Sequence, residues 1–376
     1  MSRVYLDHNA TTPLRPEARE AMLRAMDVVG NPSSVHAEGR AAKAIVEKAR
    51  GQVAALMGCD AGDIVFTSGA TEAAGMAFPD LSGAIFSDIE HDAVRAAAST
   101  GELAPQYVLD VDTDGVLTGT INGVSIFDGM WDDVVAMQAA NSETGVLQKT
   151  LPIAQDIWAT KRGALIVVDA VQMWGKLPYS IANSGADFVL SSAHKFGGPK
   201  GIGALYVKTG VEPAVRIKGG GQEMGRRSGT ENVIGIAGFG AAAEASQRDV
   251  ANGKWGRVEK LRNILENALA AASKTTIFVG KEVQRLPNTS CFITPGWKGE
   301  TQVMQMDLAG FAISAGSACS SGKVKASRVL KATGYSELEA ASAVRVSLGL
   351  ETTEEDVLRF VDIWAQKLKK HEARAA

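Results

Sequence analysis

Apolar and polar positions alternate along this chain in two rhythms, and the switches between them mark out its elements. DIVFTS (63–68), GALIVVDA (163–170) and ADFVLSS (186–192) are short apolar, β-branched runs that end in small or polar residues, a pattern that predicts strands. RAAKAIVEKARGQVAALMG (40–58) spaces its apolar residues for one face of a helix and stops at Gly58. Alternation of this kind over most of the first 250 residues predicts a mainly parallel sheet with helices on both faces. GKWGRVEKLRNILENALAAAS (253–273) predicts a long helix at a domain junction. After it, LPNTSCFIT (286–294) and SAVRVSLG (342–349) read as strands, and an amphipathic helix starts near Thr353. The tail beyond Lys370 is expected to fray. The expected fold class is therefore α/β, with a large domain over 12–252 and a smaller α+β domain formed by 1–11 plus 253–376. The chain carries no internal repeat and no low-complexity tract.

Composition narrows the class without naming it. A chain of 376 residues suits one large domain and a smaller one. A net charge of −3 argues against a nucleic-acid or anionic-membrane surface, which needs a basic excess. No run approaches the roughly 20 apolar residues of a spanning helix. The opening MSRVYLDHNATTP lacks the basic-then-apolar pattern of a secretory signal. Cys59, Cys291 and Cys319 are too few and too scattered for a disulfide framework or a zinc site. These features lead us to expect a cytoplasmic enzyme without a structural metal.

Chemistry-bearing residues sit where a parallel sheet would place a ligand, beyond the carboxyl ends of strands. In SSAHKFGGPKGIG (191–203), Lys195 follows a strand among Ser, His and Gly. A lysine whose pKa is lowered by burial forms Schiff bases with carbonyl cofactors; a surface lysine in a Gly-rich turn would have the same sequence. Asp169 ends a very apolar strand, with Gln172 just after it. Such a carboxylate can pair with a pyridinium nitrogen, and it can equally cap a following helix. FTSGATEAA (66–74) reads as strand, Gly turn and helix start, with Thr71 adding a hydroxyl to the free backbone N–H groups. It lacks the GK[ST] ending of a nucleotide loop, and GGGQEMG (219–225) is a weaker nucleotide motif still. Cys291 lies in an apolar run, as a structural cysteine does. Cys319, in ISAGSACSSGKVKAS (313–327), stands among small polar residues that suit a working thiol.

YLDHNATTP (5–13), GNPSSVH (30–36), FTSGATE (66–72), EHDAV (90–94), NSETG (141–145), VDAVQ (168–172), SSAHKFGGPKGIGALYV (191–207), RRSGTENV (226–233), SAGSACSSG (314–322) and VRVSLG (344–349) follow one another along the chain. In that order they resemble the signatures of cysteine desulfurases of the NifS/IscS type, within the class-V aminotransferase group of fold-type I pyridoxal-phosphate enzymes. The resemblance implies that Lys195 carries the cofactor covalently and that Cys319 accepts sulfur. It further implies that His91 stacks on the cofactor ring, Asp169 pairs with the ring nitrogen and Gln172 faces the phenolic oxygen. Thr71, the backbone at Ala70, Ser192 and His194 would hold the phosphate, with Thr230 reaching in from the second subunit of a homodimer. Asn141 and Arg345 would grip the carboxylate of L-cysteine, a task that suits a guanidinium fork. The implied products are alanine and a Cys319 persulfide, passed to an iron–sulfur scaffold or another sulfur carrier by a loop that carries the thiol in and out. A selenocysteine lyase or another class-V enzyme is the alternative, although a plain aminotransferase has no use for Cys319. Three stretches depart from the family: Ala73, Ala74 and Gly75 replace an Asn-containing turn, and the segments between Glu72 and His91 and between Gly115 and Val134 are short, which implies trimmed loops or a lost helix.

Overall fold

The structure, a computed structural model, describes residues 3–78, 84–99, 108–125, 134–161, 163–316 and 326–375. The chain begins with strand β1 (Val4–Tyr5), helices α1 (Pro16–Met26) and α2 (Ala37–Met57), strand β2 (Ile64–Thr67) and helix α3 (Ala70–Ala77). Strand β3 (Ile85–Phe86), helix α4 (Asp92–Ala98) and a small antiparallel sheet of β4 (Leu109–Val111), β5 (Leu117–Ile121) and β6 (Val124–Ser125) follow. Next come β7 (Val134–Gln138), α5 (Thr150–Thr160), β8 (Leu165–Asp169), β9 (Phe188–Ser192) and β10 (Gly203–Val207). Long helices α6 (Val233–Ala251) and α7 (Lys254–Ala272) lead to β11 (Ile277–Phe278), β12 (Thr289–Ile293), α8 (Gly299–Leu308), β13 (Phe311–Ala312) and β14 (Ser314–Ala315). Helices α9 (Arg328–Ala332) and α10 (Glu337–Ala341), strand β15 (Ala343–Ser347) and helix α11 (Glu354–Ala375) complete the order.

The predicted strands and helices form within a few residues of their expected limits, because each carries the burial its pattern demands. Every residue of β2, β7, β9 and β10 is buried, as the continuous apolar runs of a sheet covered on both faces require. The main sheet has six strands in the order β2-β10-β9-β8-β7-β3. Pairs β9–β8, β8–β7 and β7–β3 are parallel. Strand β10 runs antiparallel to both β2 and β9, which refines the expectation of a mainly parallel sheet: a short return from Lys195 to Gly203 can reverse the chain, whereas a parallel neighbour needs a crossover helix. Strands β2, β7, β8 and β9 therefore share one carboxyl edge, and β10 starts there.

A second sheet, β11-β12-β15-β14, is antiparallel throughout. Val4 and Leu6 pack into its core with Trp255, Trp297, Phe360 and Trp364, while the six-stranded sheet has its own apolar layers on either face. We propose that these cores correspond to the two domains expected over 12–252 and over 1–11 plus 253–376. One expectation fails at the C-terminus. Helix α11 continues to Ala375 instead of fraying after Lys370, and the His371 ring stacks on Trp297 at 5.5 Å, which ties the last turns to the small core. Ala73 and Ala74, the small residues of the departing turn, are fully buried and let α3 pack closely on the sheet.

Candidate active site

The carboxyl edge of the main sheet opens into a cavity of about 480 Å³ lined by Ala70, Thr71, His91, Asp169, Gln172, Ser192, His194 and Lys195, among others. All eight are residues singled out in the sequence. Each reaches the cavity for a local reason. Strand β2 ends at Thr67, and the N-cap of α3 is Gly69, which has no side chain to cap the helix. The first amides of α3 thus remain available for an anion, with the helix dipole aiding. Glu72 folds back to accept a hydrogen bond from the Ser68 amide at 2.7 Å, and Arg227 Nε donates to it at 2.8 Å, so the turn is braced from both sides. Gly203 makes room for this turn: a β-carbon there would lie 2.7 Å from Gly69 Cα and 2.6 Å from the Ser191 carbonyl oxygen.

Asp169 is the last residue of β8, and its Oδ1 accepts from the Val171 amide at 2.9 Å. Burial pushes its carboxyl up, while His91 and Lys195 pull it back. A half-buried carboxylate of this kind gains by pairing with a cationic ring nitrogen. Glu90, fully buried with Oε2 lacking a hydrogen-bond partner among the described residues, is raised to about 8 by burial and by Asp169. It is therefore largely neutral at neutral pH, which leaves the negative charge on Asp169. His91 caps α4, with Nδ1 accepting from the Ala93 amide at 3.1 Å. His194 is lowered to about 4 by burial and by Lys195 and Lys200, and it stays neutral beside Thr11 Oγ1 at 3.1 Å.

Lys195 lies just beyond β9, in a short helical turn of Ala193–Lys195. Its Nζ donates to the carbonyls of Asn9 and Ala10 at 2.8 and 3.0 Å. The N-terminal strap is stitched to this turn, since the Thr12 amide donates to the His194 carbonyl at 2.8 Å and Thr12 Oγ1 to that of Lys195 at 3.0 Å. Lys195 also lines a second cavity of about 290 Å³, together with Asp7, Glu143, Gly316, Arg328 and Arg345. Arg345, on β15, donates to Asp7 Oδ1 at 2.7 Å and to the Ser142 carbonyl at 2.9 Å. Its Nε is buried without a hydrogen-bond partner among the described residues. Glu143 accepts from Ser327 Oγ at 2.5 Å, and burial raises it to about 7.

Asn141 and Thr230 are not among the residues lining either cavity of this chain. Asn141, expected at the substrate carboxylate, hydrogen-bonds both to its own turn and to neighbouring segments. Its Nδ2 donates to the Ile89 carbonyl at 3.1 Å and to Gln138 Oε1 at 3.3 Å, while its Oδ1 accepts from the Glu143 and Thr144 amides. Thr230 is exposed and is not among the residues lining this chain's own cavity. Cys319 falls in 317–325, outside the described residues, although Gly316, three residues before it, lines the smaller cavity. The sequence reading missed Asn9, Glu90, Glu143 and Lys176 as members of the polar network. Asn9, Glu90 and Glu143 stand inside the quoted YLDHNATTP, EHDAV and NSETG segments, but nothing marked them for burial at the site.

The donor set fits pyridoxal phosphate. Open helix amides, with Thr71 and Ser192 beside them, suit a phosphate, Asp169 suits a pyridinium nitrogen, and Lys195 between two cavities suits a carbonyl carbon. Fold and site thus define a fold-type I pyridoxal-phosphate enzyme. More narrowly, the chain belongs to the class-V aminotransferase family, whose profile, Aminotransferase class-V, matches residues 4–360. It is 39% identical over 375 residues to a cysteine desulfurase of Cereibacter sphaeroides, covering 96% of this chain and 95% of that one. Among solved structures it resembles a NifS-like protein from Rickettsia africae, with a TM-score of 0.87 and 30% identity over 98% of this chain and 99% of that one. It also resembles SspA in complex with cysteine, with a TM-score of 0.75 and 26% identity over 93% of this chain and 100% of that one.

Proposed function

We propose that this protein is a cysteine desulfurase that takes sulfur from L-cysteine, releases L-alanine and keeps the sulfur as a persulfide on Cys319. The observation that carries this reading is the position of Lys195, shared between the Asp169 cavity and the Arg345 cavity. A cofactor-binding site and an amino-acid-binding site meet at one amine. When bound, the cofactor supplies an electron sink for charge developing at the substrate α-carbon. Asp169 would hold its ring nitrogen, and Ala70, Thr71, Ser192 and His194 its phosphate, with His91 against the ring and Gln172 at the phenolic oxygen.

The protein's own groups then divide the work. Arg345 binds the substrate carboxylate through its unpartnered Nε, already oriented by Asp7 and Ser142. Lys195 Nζ, placed by the Asn9 and Ala10 carbonyls, removes the α-proton and returns it. Cys319 attacks the substrate sulfur as thiolate, so that an S–S bond forms while the substrate C–S bond breaks. One cysteine and one enzyme thiol thus give one alanine and one enzyme persulfide.

The active unit is read as a homodimer. Leu23, Met26, Val29, Val35, Ile217 and Met224 are large apolar residues left exposed on the segments around α1 and before Thr230, the kind of surface that a second copy covers. On this reading Thr230 completes the partner's phosphate site. The persulfide would pass to an iron–sulfur scaffold or sulfur-carrier protein. No described helix is long and apolar enough to cross a membrane, and the proposed location is the cytoplasm.

The test is an assay of purified protein with L-cysteine and a thiol reductant, recording the visible spectrum alongside. Yellow protein giving equal amounts of alanine and sulfide is the expected result. Yellow protein that makes neither would overturn the desulfurase reading and leave the cofactor site standing. Arg345→Ala is expected to weaken cysteine binding by about 2 to 5 kcal/mol, seen as a higher KM. An unchanged KM would remove Arg345 from the substrate site.

A further inference from the structure

Behind the main cavity lies a second buried lysine. Lys176 is 2% exposed, and its Nζ donates to Gln172 Oε1 at 2.7 Å and to Asn9 Oδ1 at 3.1 Å. Charged or neutral, the Lys176 amine has protons for both groups it touches, and both turn an oxygen toward it. On the other side, Gln172 Nε2 donates to the Asn9 carbonyl at 3.0 Å. A carbonyl has only acceptors, so that contact demands nitrogen from Gln172. The two neighbours agree, and one Nε2 hydrogen is left over on a side chain that lines the cofactor cavity. The Asn9 carbonyl also takes a hydrogen bond from Lys195 Nζ at 2.8 Å, which joins the two lysines through one residue. Asn9 is held as well: its Nδ2 donates to the Ser142 carbonyl and to Thr289 Oγ1, and its Oδ1 also accepts from Asn288 Nδ2.

We propose that Lys176 is a positioning residue: by fixing the Gln172 amide with its oxygen turned away, it makes the enzyme present an N–H donor to the phenolic oxygen of the cofactor. The proposal rests on the reading above, in which Gln172 faces that oxygen. A glutamine amide alone can turn over and offer either atom, at the same size and nearly the same shape. An acceptor facing a phenolate would repel it, and a donor stabilises its negative charge. The site keeps a costly group for this purpose. Burial, with Lys195 and Arg345 as further cations, lowers the Lys176 amine well below its ordinary value, and neither of its hydrogen-bond partners is a carboxylate. A merely structural filler would serve better as methionine or leucine.

The experiment is a pH titration of the visible absorbance band of the cofactor-loaded enzyme, compared among wild type, Gln172→Leu, Lys176→Met and the double variant. Losing a donor to the phenolic oxygen leaves more negative charge beside the titrating nitrogen, which should raise the midpoint. Both single variants are expected to shift it upward by about one pH unit. The double variant should shift no further than Gln172→Leu alone, because the two residues act through one hydrogen bond. If Gln172→Leu leaves the midpoint unchanged, the placement of Gln172 at the phenolic oxygen fails. If Gln172→Leu shifts it and Lys176→Met does not, or if the two shifts add, the positioning role of Lys176 fails. Should Lys176→Met not fold, Lys176→Gln takes its place. Its shorter side chain cannot bridge Gln172 and Asn9 together, so an upward shift is again expected and a wild-type midpoint overturns the proposal.

Discussion

Replacing Lys195 with alanine is expected to lower alanine production by more than about 10³-fold. Two separate contributions are lost together. The amine that would anchor the cofactor disappears, and so does the base placed to move the α-proton. The second loss cannot be recovered from nearby groups. His194 sits next in sequence, but burial and two lysines hold it near 4 and neutral, and it is turned to Thr11. Lys200 also lines the cavity, but its side chain is exposed to solvent rather than enclosed at the site. Lys176 is buried behind Gln172 and is absent from the lining residues. The variant should retain cofactor through the phosphate and Asp169 contacts. Borohydride reduction followed by peptide mass analysis should then find no covalent adduct. An adduct on another lysine, or turnover within about tenfold of wild type, would show that Lys195 is not the anchoring amine.

Much of this site was legible because the fold obeys one rule at several places. Asp169, Ser192 and Thr67 each end a buried apolar strand, and a sheet with parallel β7, β8 and β9 gathers such ends at one edge. The residues just after those ends, Thr71, Gln172 and Lys195, are therefore brought together by strand order alone. What stayed hidden depended on partners distant in sequence. Nothing near Lys176 announces a buried amine, because its acceptors are Asn9, far away along the chain, and a glutamine whose oxygen could as well face solvent. The GGGQEMG segment gave no useful nucleotide signal, yet Glu223 within it forms a buried pair with Arg50 and accepts from the Phe66 amide, anchoring the segment to β2. Glu223 and Met224 adopt left-handed backbone angles there, a cost that this anchoring offsets. The reversal of β10 was hidden for a different reason, since an apolar buried strand reads the same in either direction.

The thiol is the part of the reading that sequence carries almost alone, and its variant gives the second large effect. Cys319→Ser is expected to reduce sulfide release by more than about 10³-fold, because a hydroxyl at neutral pH is neither ionised nor soft enough to attack sulfur. The protein offers no substitute thiol. Burial pushes Cys291 up to about 12, and burial with Asp63 and Asp60 does the same to Cys59. Cys59 borders a separate cavity with Asp60, Trp158 and Tyr206, none of which lines the Lys195 cavity. The serine variant should keep its colour and still change its spectrum when cysteine is added, since cofactor and carboxylate binding depend on Lys195, Asp169 and Arg345. Wild-type protein treated with cysteine and no reductant should gain the mass of one sulfur atom on the peptide that contains Cys319. That gain should be absent from the peptides of Cys59 and Cys291. A serine variant that releases sulfide at the wild-type rate would show that sulfur leaves the substrate without passing through Cys319. The assignment of a persulfide enzyme would then fall, while a cysteine-processing site built on Lys195 would remain.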